Sequence, residues 1–182
     1  WLLAEHPEIQ GRVVQELVET LGDADARPED LHRLPQTTAA LNESMRLFPP
    51  LWAIGREVLA PIQLRTHNLP IGVHVLIPQW VVHRDPRWFV GPLWYRPERW
   101  LNGETDGIPR FAYFPFGGGA RVCIGAHFAR MESILVLATL LRSYRFTAQP
   151  GYRPELLPSA TLRPTNGIQL CIEARRRQTE QR

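Results

Sequence analysis

From Gly91 to about Gly119 the chain is rich in Pro, Gly, Arg and aromatic residues and shows little helical or strand periodicity. So long a structureless stretch is uncommon inside a compact domain and is usually functional when it is ordered. It separates a helical first part and a β-rich middle from a second helical element.

On its N-terminal side, Leu2, Leu3, Ile9, Val13, Leu17 and Leu21 keep a helical spacing, and residues 8–21 read as an amphipathic helix ending near Gly22. A turn-rich link leads to a short helix start at Pro28-Glu29-Asp30-Leu31. Pro35, at a first-turn position, opens a second helix that runs to about Leu47 and is closed by Pro49-Pro50. Trp52–Leu59, Ile62–Arg65 and Val73–Ile77 are short β-rich runs cut by Pro61, residues 68–72 and Pro78, which predicts a small antiparallel sheet. Gln79–Phe89 reads as a short helix. Ile124–Tyr144 is the clearest helix, with Ile124, Phe128, Met131, Leu135, Ala138 and Leu141 down one face. Ala160–Thr165 and Ile168–Ala174 flank Asn166-Gly167, a strong hairpin signal. The expected fold class is mainly α with small antiparallel β-sheets.

The 182 residues are 44% apolar and 21% charged, a globular balance that excludes a disordered or fibrous chain. All 21 basic residues are arginine, which suggests the codon bias of a GC-rich bacterial genome. The net charge of +3 is spread along the chain and gives no nucleic-acid footprint. The Arg175-Arg176-Arg177 cluster reads as part of a solvated polar tail, residues 175–182. No apolar run suits a membrane helix and no signal peptide is visible, so the expected location is cytoplasmic. Because the chain opens at Trp1 already inside a helical pattern, an anchor on a preceding segment stays compatible with this reading. Two cysteines make no disulfide framework, neither has a zinc partner, and the six histidines have no metal-binding spacing.

The chemistry concentrates in Phe114-Pro115-Phe116-Gly117-Gly118-Gly119-Ala120-Arg121-Val122-Cys123-Ile124-Gly125. Three glycines let backbone approach a flat ligand or take positive φ. Cys123 falls at the expected first turn of the long helix, where free N–H groups and the helix dipole favour a thiolate. Arg121 supplies a cation for a carboxylate, and Gly125 leaves space beside the sulfur. An electron-rich thiolate in such a loop suits a haem iron with a cysteine axial ligand. Cys171, in a strand without this framing, receives no role.

Phe116-Gly117-x-Gly119-x-Arg121-x-Cys123-x-Gly125 resembles the haem-binding signature of the cytochromes P450. Two further motifs follow the family's order: Glu43-Ser44-Met45-Arg46 matches its ExxR element, and Arg96-Pro97-Glu98-Arg99-Trp100 is similar to its PERF element, with Trp where Phe is usual. The resemblance implies that Cys123 ligates the iron of haem b, Phe116 packs under the porphyrin, and Arg121 pairs a propionate. Gly117 and Gly119 would shape the loop, and Gly125 would permit close approach of the helix. Arg56 sits where the family places a second propionate-binding arginine. Glu43, Arg46 and Arg99 are implied to form an ion network that locks the long loop to the second helix. Leu51, Trp52, Ile54 and Ala160 would line the substrate side, and His83 would pack a loop without ligating.

The resemblance divides the chain into helices over 1–48, a β-rich region over 51–78, a meander over 91–115, a haem-binding loop over 116–125, a long helix over 124–144 and a terminal hairpin over 160–174. These form one partial domain, 1–174, the C-terminal portion of the family's fold. Implied partners are a small hydrophobic organic substrate, dioxygen, and an external electron donor, either a ferredoxin or flavodoxin or a flavoprotein reductase. Arg110 and Arg130 are candidate contacts for an acidic donor. The implied activity is that of a monooxygenase. The family's distal helix with its acid–alcohol pair has no counterpart here, and its expected place is upstream of Trp1. The isolated chain is therefore expected to bind haem at best, with poor activity. The alternatives are a truncated non-enzymatic haem-binding fragment and, within the fold, a peroxide-driven peroxygenase.

Overall fold

The structure, a computed structural model, describes residues 1–175. Its helices are α1 (Leu2–Glu5), α2 (Pro7–Leu21), α3 (Pro35–Leu47), the single turn α4 (Gln79–Val82) and α5 (Ala126–Ser143). Pro7 and Pro35 each stand in a first turn, where a missing N–H leaves no unpaired donor. The main core lies where α2, α3 and α5 meet. Val13, Leu17 and Leu21 of α2 pack there with Ala40 of α3, Leu34, and Ile134, Ala138 and Leu141 of α5.

Leu34 offers α3 no side-chain cap, and α2 supplies one instead. The buried Glu16 carboxylate accepts the N–H groups of Gln36 at 2.6 Å and Thr37 at 2.9 Å, and the Thr37 hydroxyl at 2.7 Å. An anion at a helix N-terminus satisfies orphan donors and opposes the macrodipole favourably. The α2–α3 angle is thus fixed by polar contacts as well as by packing.

The strands form four two-stranded antiparallel sheets among the described residues. β1 (Ile54–Glu57) pairs with β4 (His74–Ile77) around a smaller hairpin of β2 (Ile62–Leu64) and β3 (His67–Leu69). β5 (Tyr144–Ala148) pairs with β8 (Leu170–Ala174), and β6 (Leu156–Pro158) pairs with β7 (Leu162–Pro164). The molecule is therefore mainly helical with small antiparallel sheets. No described helix is long and apolar enough to cross a membrane.

Four local expectations need correction. Asn166-Gly167 does not close a hairpin between the strands on either side of it, because β7 and β8 belong to different sheets. Asn166 Oδ1 instead accepts the Glu155 N–H at 3.0 Å and the Tyr152 hydroxyl at 3.2 Å, so a side-chain bond replaces the expected ladder. The segment Gln79–Phe89 holds one helical turn only. Asp85 precedes Pro86, which disfavours the α region there.

The long helix begins at Ala126 and buries Ile134, Ala138 and Leu141, while Ile124 and Phe128 are exposed. Apolar residues occur all round α5, so spacing alone could not select the inner stripe. Arg175 is also no free tail residue. It donates to Tyr144 O at 3.1 Å and Gln10 Oε1 at 3.2 Å. The remainder of the expected tail, with Arg176 and Arg177, lies outside the described residues.

Candidate haem-thiolate site

Glu43, on α3, is fully buried and collects five donors. Oε1 accepts Arg46 Nη2 at 2.8 Å, the Arg96 N–H at 3.0 Å and Arg99 Nε at 3.0 Å. Oε2 accepts Arg46 Nε at 2.9 Å and the Trp100 indole N–H at 2.9 Å. Burial pushes the Glu43 carboxyl up, but the hydrogen bond and charge of Arg46, the Arg96 amide and the Arg99 charge outweigh it and hold the carboxyl below its ordinary range.

Arg46 places all five of its N–H groups. Besides Glu43 it donates to the carbonyls of His83 at 2.9 Å, Pro92 at 2.7 Å and Trp94 at 3.1 Å. Arg99, in the 3₁₀ turn Pro97–Trp100, donates to Val90 O at 3.0 Å. Both guanidinium groups lie over the buried Phe89 ring. The aperiodic stretch is thus held by side chains that reach its carbonyls.

The same region anchors the start of the cysteine loop. Phe114 gives its N–H to His83 Nε2 at 2.9 Å, and its carbonyl accepts the Gln79 side-chain amide. The His83 ring packs against Tyr113 and Phe114. It is neutral, its pKa lowered to about 3 by burial and by the Arg46 and Arg84 cations, against the opposing pull of the Met45 and Arg46 carbonyls. Sequence reasoning missed Gln79 and the donor role of Trp100. The available signal was a polar pair, Gln79 and His83, at i and i+4 in an otherwise apolar short helix.

Beyond Phe114 the chain turns back. Gly117 N–H donates to Phe114 O at 2.8 Å, and Cys123 N–H donates to Phe116 O at 2.9 Å. Gly117 and Gly119 take φ of 78° and 71°, the left-handed region that side chains disfavour. Cys123 is free and exposed. It lies two residues ahead of the α5 cap, Gly125, and not in the first turn of the helix, so its backbone N–H serves the loop and the helix-start argument for its thiolate does not apply in that form.

The residues around this sulfur suit a flat apolar ring with an acidic edge. Val122, Ile124 and Phe128 are exposed apolar side chains close to it in sequence. A Cβ on Gly125 would stand 4.0 Å from Cys123 Sγ and meet nothing else, so that flank is open. A Cβ on Gly117 would stand 3.5 Å from Ile54 Cδ1, which brings β1 against the loop. Arg56 lies two residues along β1 from Ile54, on the same face of the strand. Neither Arg56 nor Arg121 is in an ion pair among the described residues, which leaves both cations free for carboxylates.

Two hydrogen bonds join the segments that hold Leu51, Trp52 and Ala160. Trp52 donates its indole N–H to Ser159 O at 2.7 Å, and Leu162 N–H donates to Pro50 O at 2.8 Å. This seats the turn holding Ala160 beside Leu51 and Trp52. Arg130 does not stand free: it is half-buried and donates to Asn42 Oδ1 at 3.0 Å, whereas Arg110 is exposed.

Comparison with known proteins identifies the family and the fold. The family model described as cytochrome P450 matches residues 1–172. A Mycobacterium tuberculosis protein carrying a cytochrome P450 name is 40% identical over 168 residues, covering 92% of this chain and 36% of that protein. The cyclooctat-9-en-7-ol 5-monooxygenase of Streptomyces melanosporofaciens is 38% identical over 150 residues, covering 82% of this chain and 33% of that enzyme. The retinoic-acid-bound cyanobacterial CYP120A1 superposes with a TM-score of 0.88 at 32% identity, covering 95% of this chain and 40% of that one. The chain therefore spans little more than a third of the length of its relatives. Within that span, its helices, its small sheets and its glycine-framed cysteine loop make it a member of the cytochrome P450 family.

Proposed function

We propose that this chain is the haem-binding portion of a haem-thiolate monooxygenase, with Cys123 as the axial ligand of haem b. The observation that carries the reading is a free, exposed cysteine sulfur on a glycine loop whose base is fixed by buried hydrogen bonds at Phe114. An ordinary core cysteine would be buried, and a fixed exposed thiol beside open space is what an axial ligand needs.

Arg121 and Arg56 would hold the propionates by charge-assisted bonds, and Phe116 would pack against the ring. Gly117, Gly119 and Gly125 keep side chains out of its way. Leu51, Trp52, Ile54 and Ala160 form an apolar wall that orients a hydrophobic organic substrate and limits water. When bound, the haem supplies oxygen-activating chemistry, which thiolate donation directs toward O–O cleavage. Electrons would come from an external donor, and the exposed Arg110 suits an acidic ferredoxin or flavodoxin.

The test is the carbon monoxide difference spectrum of the reduced, haem-loaded intact protein, with Cys123→Ala beside it. A strongly red-shifted Soret band lost in the variant is expected. A band that survives in Cys123→Ala would rule out this ligand.

A further inference from the structure

His83 is fully buried, yet its two ends serve different parts of the molecule. Its carbonyl accepts Arg46 Nη1 at 2.9 Å, which ties it to the Glu43 network. Its ring Nε2 accepts the Phe114 N–H at 2.9 Å, which ties it to the root of the cysteine loop. Gln79, one helical turn earlier on the same face, takes the Phe114 carbonyl. Both peptide groups of Phe114 are therefore held by side chains from α4 and the residue that caps it. From there Gly117 bonds back to Phe114, and Cys123 to Phe116.

We propose that His83, assisted by Gln79, is the positioning residue that transmits the rigidity of the Glu43–Arg46 network to the Cys123 loop, acting as a neutral hydrogen-bond acceptor and never as a ligand. The proposal rests on the reading of Cys123 as the haem ligand. An acceptor is required at this point because Phe114 is itself buried, so its N–H has no water to turn to. A protonated ring would face that N–H with another donor. The contacts of the ring with Tyr113 and Phe114, at centroid distances of 5.2 and 5.1 Å, fix the direction in which Nε2 points. A loop released at Phe114 would let the sulfur sample positions away from the iron axis. The ligand would then exchange between thiolate and protonated thiol.

The experiment uses the haem-loaded intact protein as wild type, His83→Leu, His83→Gln and Cys123→Ala. One readout is the share of the reduced, carbon monoxide-bound Soret band at the red-shifted thiolate position. The other is amide hydrogen exchange over residues 114–123 against that over α2. His83→Leu is expected to speed loop exchange about tenfold while α2 keeps its protection, and to move intensity to the shorter-wavelength band. His83→Gln, whose Oε1 can replace Nε2 as acceptor, is expected to restore both. Wild-type loop protection and thiolate share in His83→Leu would overturn the proposal. So would an equal loss over loop and α2 that Gln does not repair. If the wild type lacks the red-shifted band, or Cys123→Ala keeps it, the haem-thiolate reading fails, and the exchange data still decide whether His83 holds the loop.

Discussion

The indole N–H of Trp100 donates to Oε2 of Glu43 at 2.9 Å. The aromatic residue that ends the Pro97–Trp100 turn is thus a polar partner of a buried carboxylate as well as a packing group against Tyr113, at a centroid distance of 4.5 Å. Trp100→Phe keeps most of the packing and removes one bond to a charged acceptor. A destabilisation of about 2 kcal/mol is expected, read from urea unfolding. A change below about 0.5 kcal/mol, the ordinary size of a surface substitution, would show that the indole N–H adds nothing.

Glu43→Gln should be far more damaging. It leaves the Arg46 and Arg99 guanidinium groups buried without a counter-charge. Breaking a buried ion network from one side costs roughly 3–5 kcal/mol. Thermal unfolding should report a large fall in midpoint, and a midpoint close to wild type would refute the network's structural role.

Stability should also fall on mild acidification. The pKa of His83 is near 3 in the folded state and about 6.5 when unfolded. Between those values the unfolded chain binds a proton that the folded chain refuses, so stability is lost as pH drops from about 6.5 towards 3. The slope from this one group is at most about 1.4 kcal/mol per pH unit. The Glu43 carboxyl, held low, adds a further loss below about pH 4.5 in the same direction. Urea midpoints collected from about pH 7 downward should decline more steeply in wild type than in His83→Gln. Parallel curves would show that His83 titrates normally in the folded state.

Two glycine substitutions should separate conformation from space. Gly119 has φ of 71°, and a methyl group added there would meet nothing within 4 Å, so Gly119→Ala should cost about 1–2 kcal/mol through backbone strain alone. Gly125 has an ordinary φ of −88°. Gly125→Ala should change unfolding by less than about 0.5 kcal/mol while weakening haem retention, because its methyl would stand beside Cys123 Sγ. Haem transfer to apomyoglobin would measure that retention, and an unchanged transfer rate would exclude close approach of the ring at Gly125.

Local pattern made α2 and α3 legible from Leu2 to Leu47, since apolar spacing and first-turn prolines act on the nearest residues. The cysteine loop stood out for a different reason: glycine, arginine and cysteine at fixed offsets form a pattern that few other arrangements share. Strand pairing around Asn166 was not legible. The turn signal there is real at short range, but β6 takes β7 and β5 takes β8, and that tertiary pairing decided. The inner face of α5 was hidden because apolar residues ring the whole helix. His83 and Gln79 were hidden as loop anchors because their partner, Phe114, contributes only backbone atoms, which every residue type possesses.

Arg46 and Arg99 reach the aperiodic stretch through the carbonyls of Val90, Pro92 and Trp94. A carbonyl is the same whatever side chain hangs beside it. Evolution can therefore rewrite the amino acids at these three positions almost freely, since the guanidinium groups read the path of the chain and not its letters. They are far less forgiving of its length: one residue gained or lost between His83 and Val90 would shift the carbonyls beyond it out of register. Relatives should vary in spelling across this segment and agree in its count.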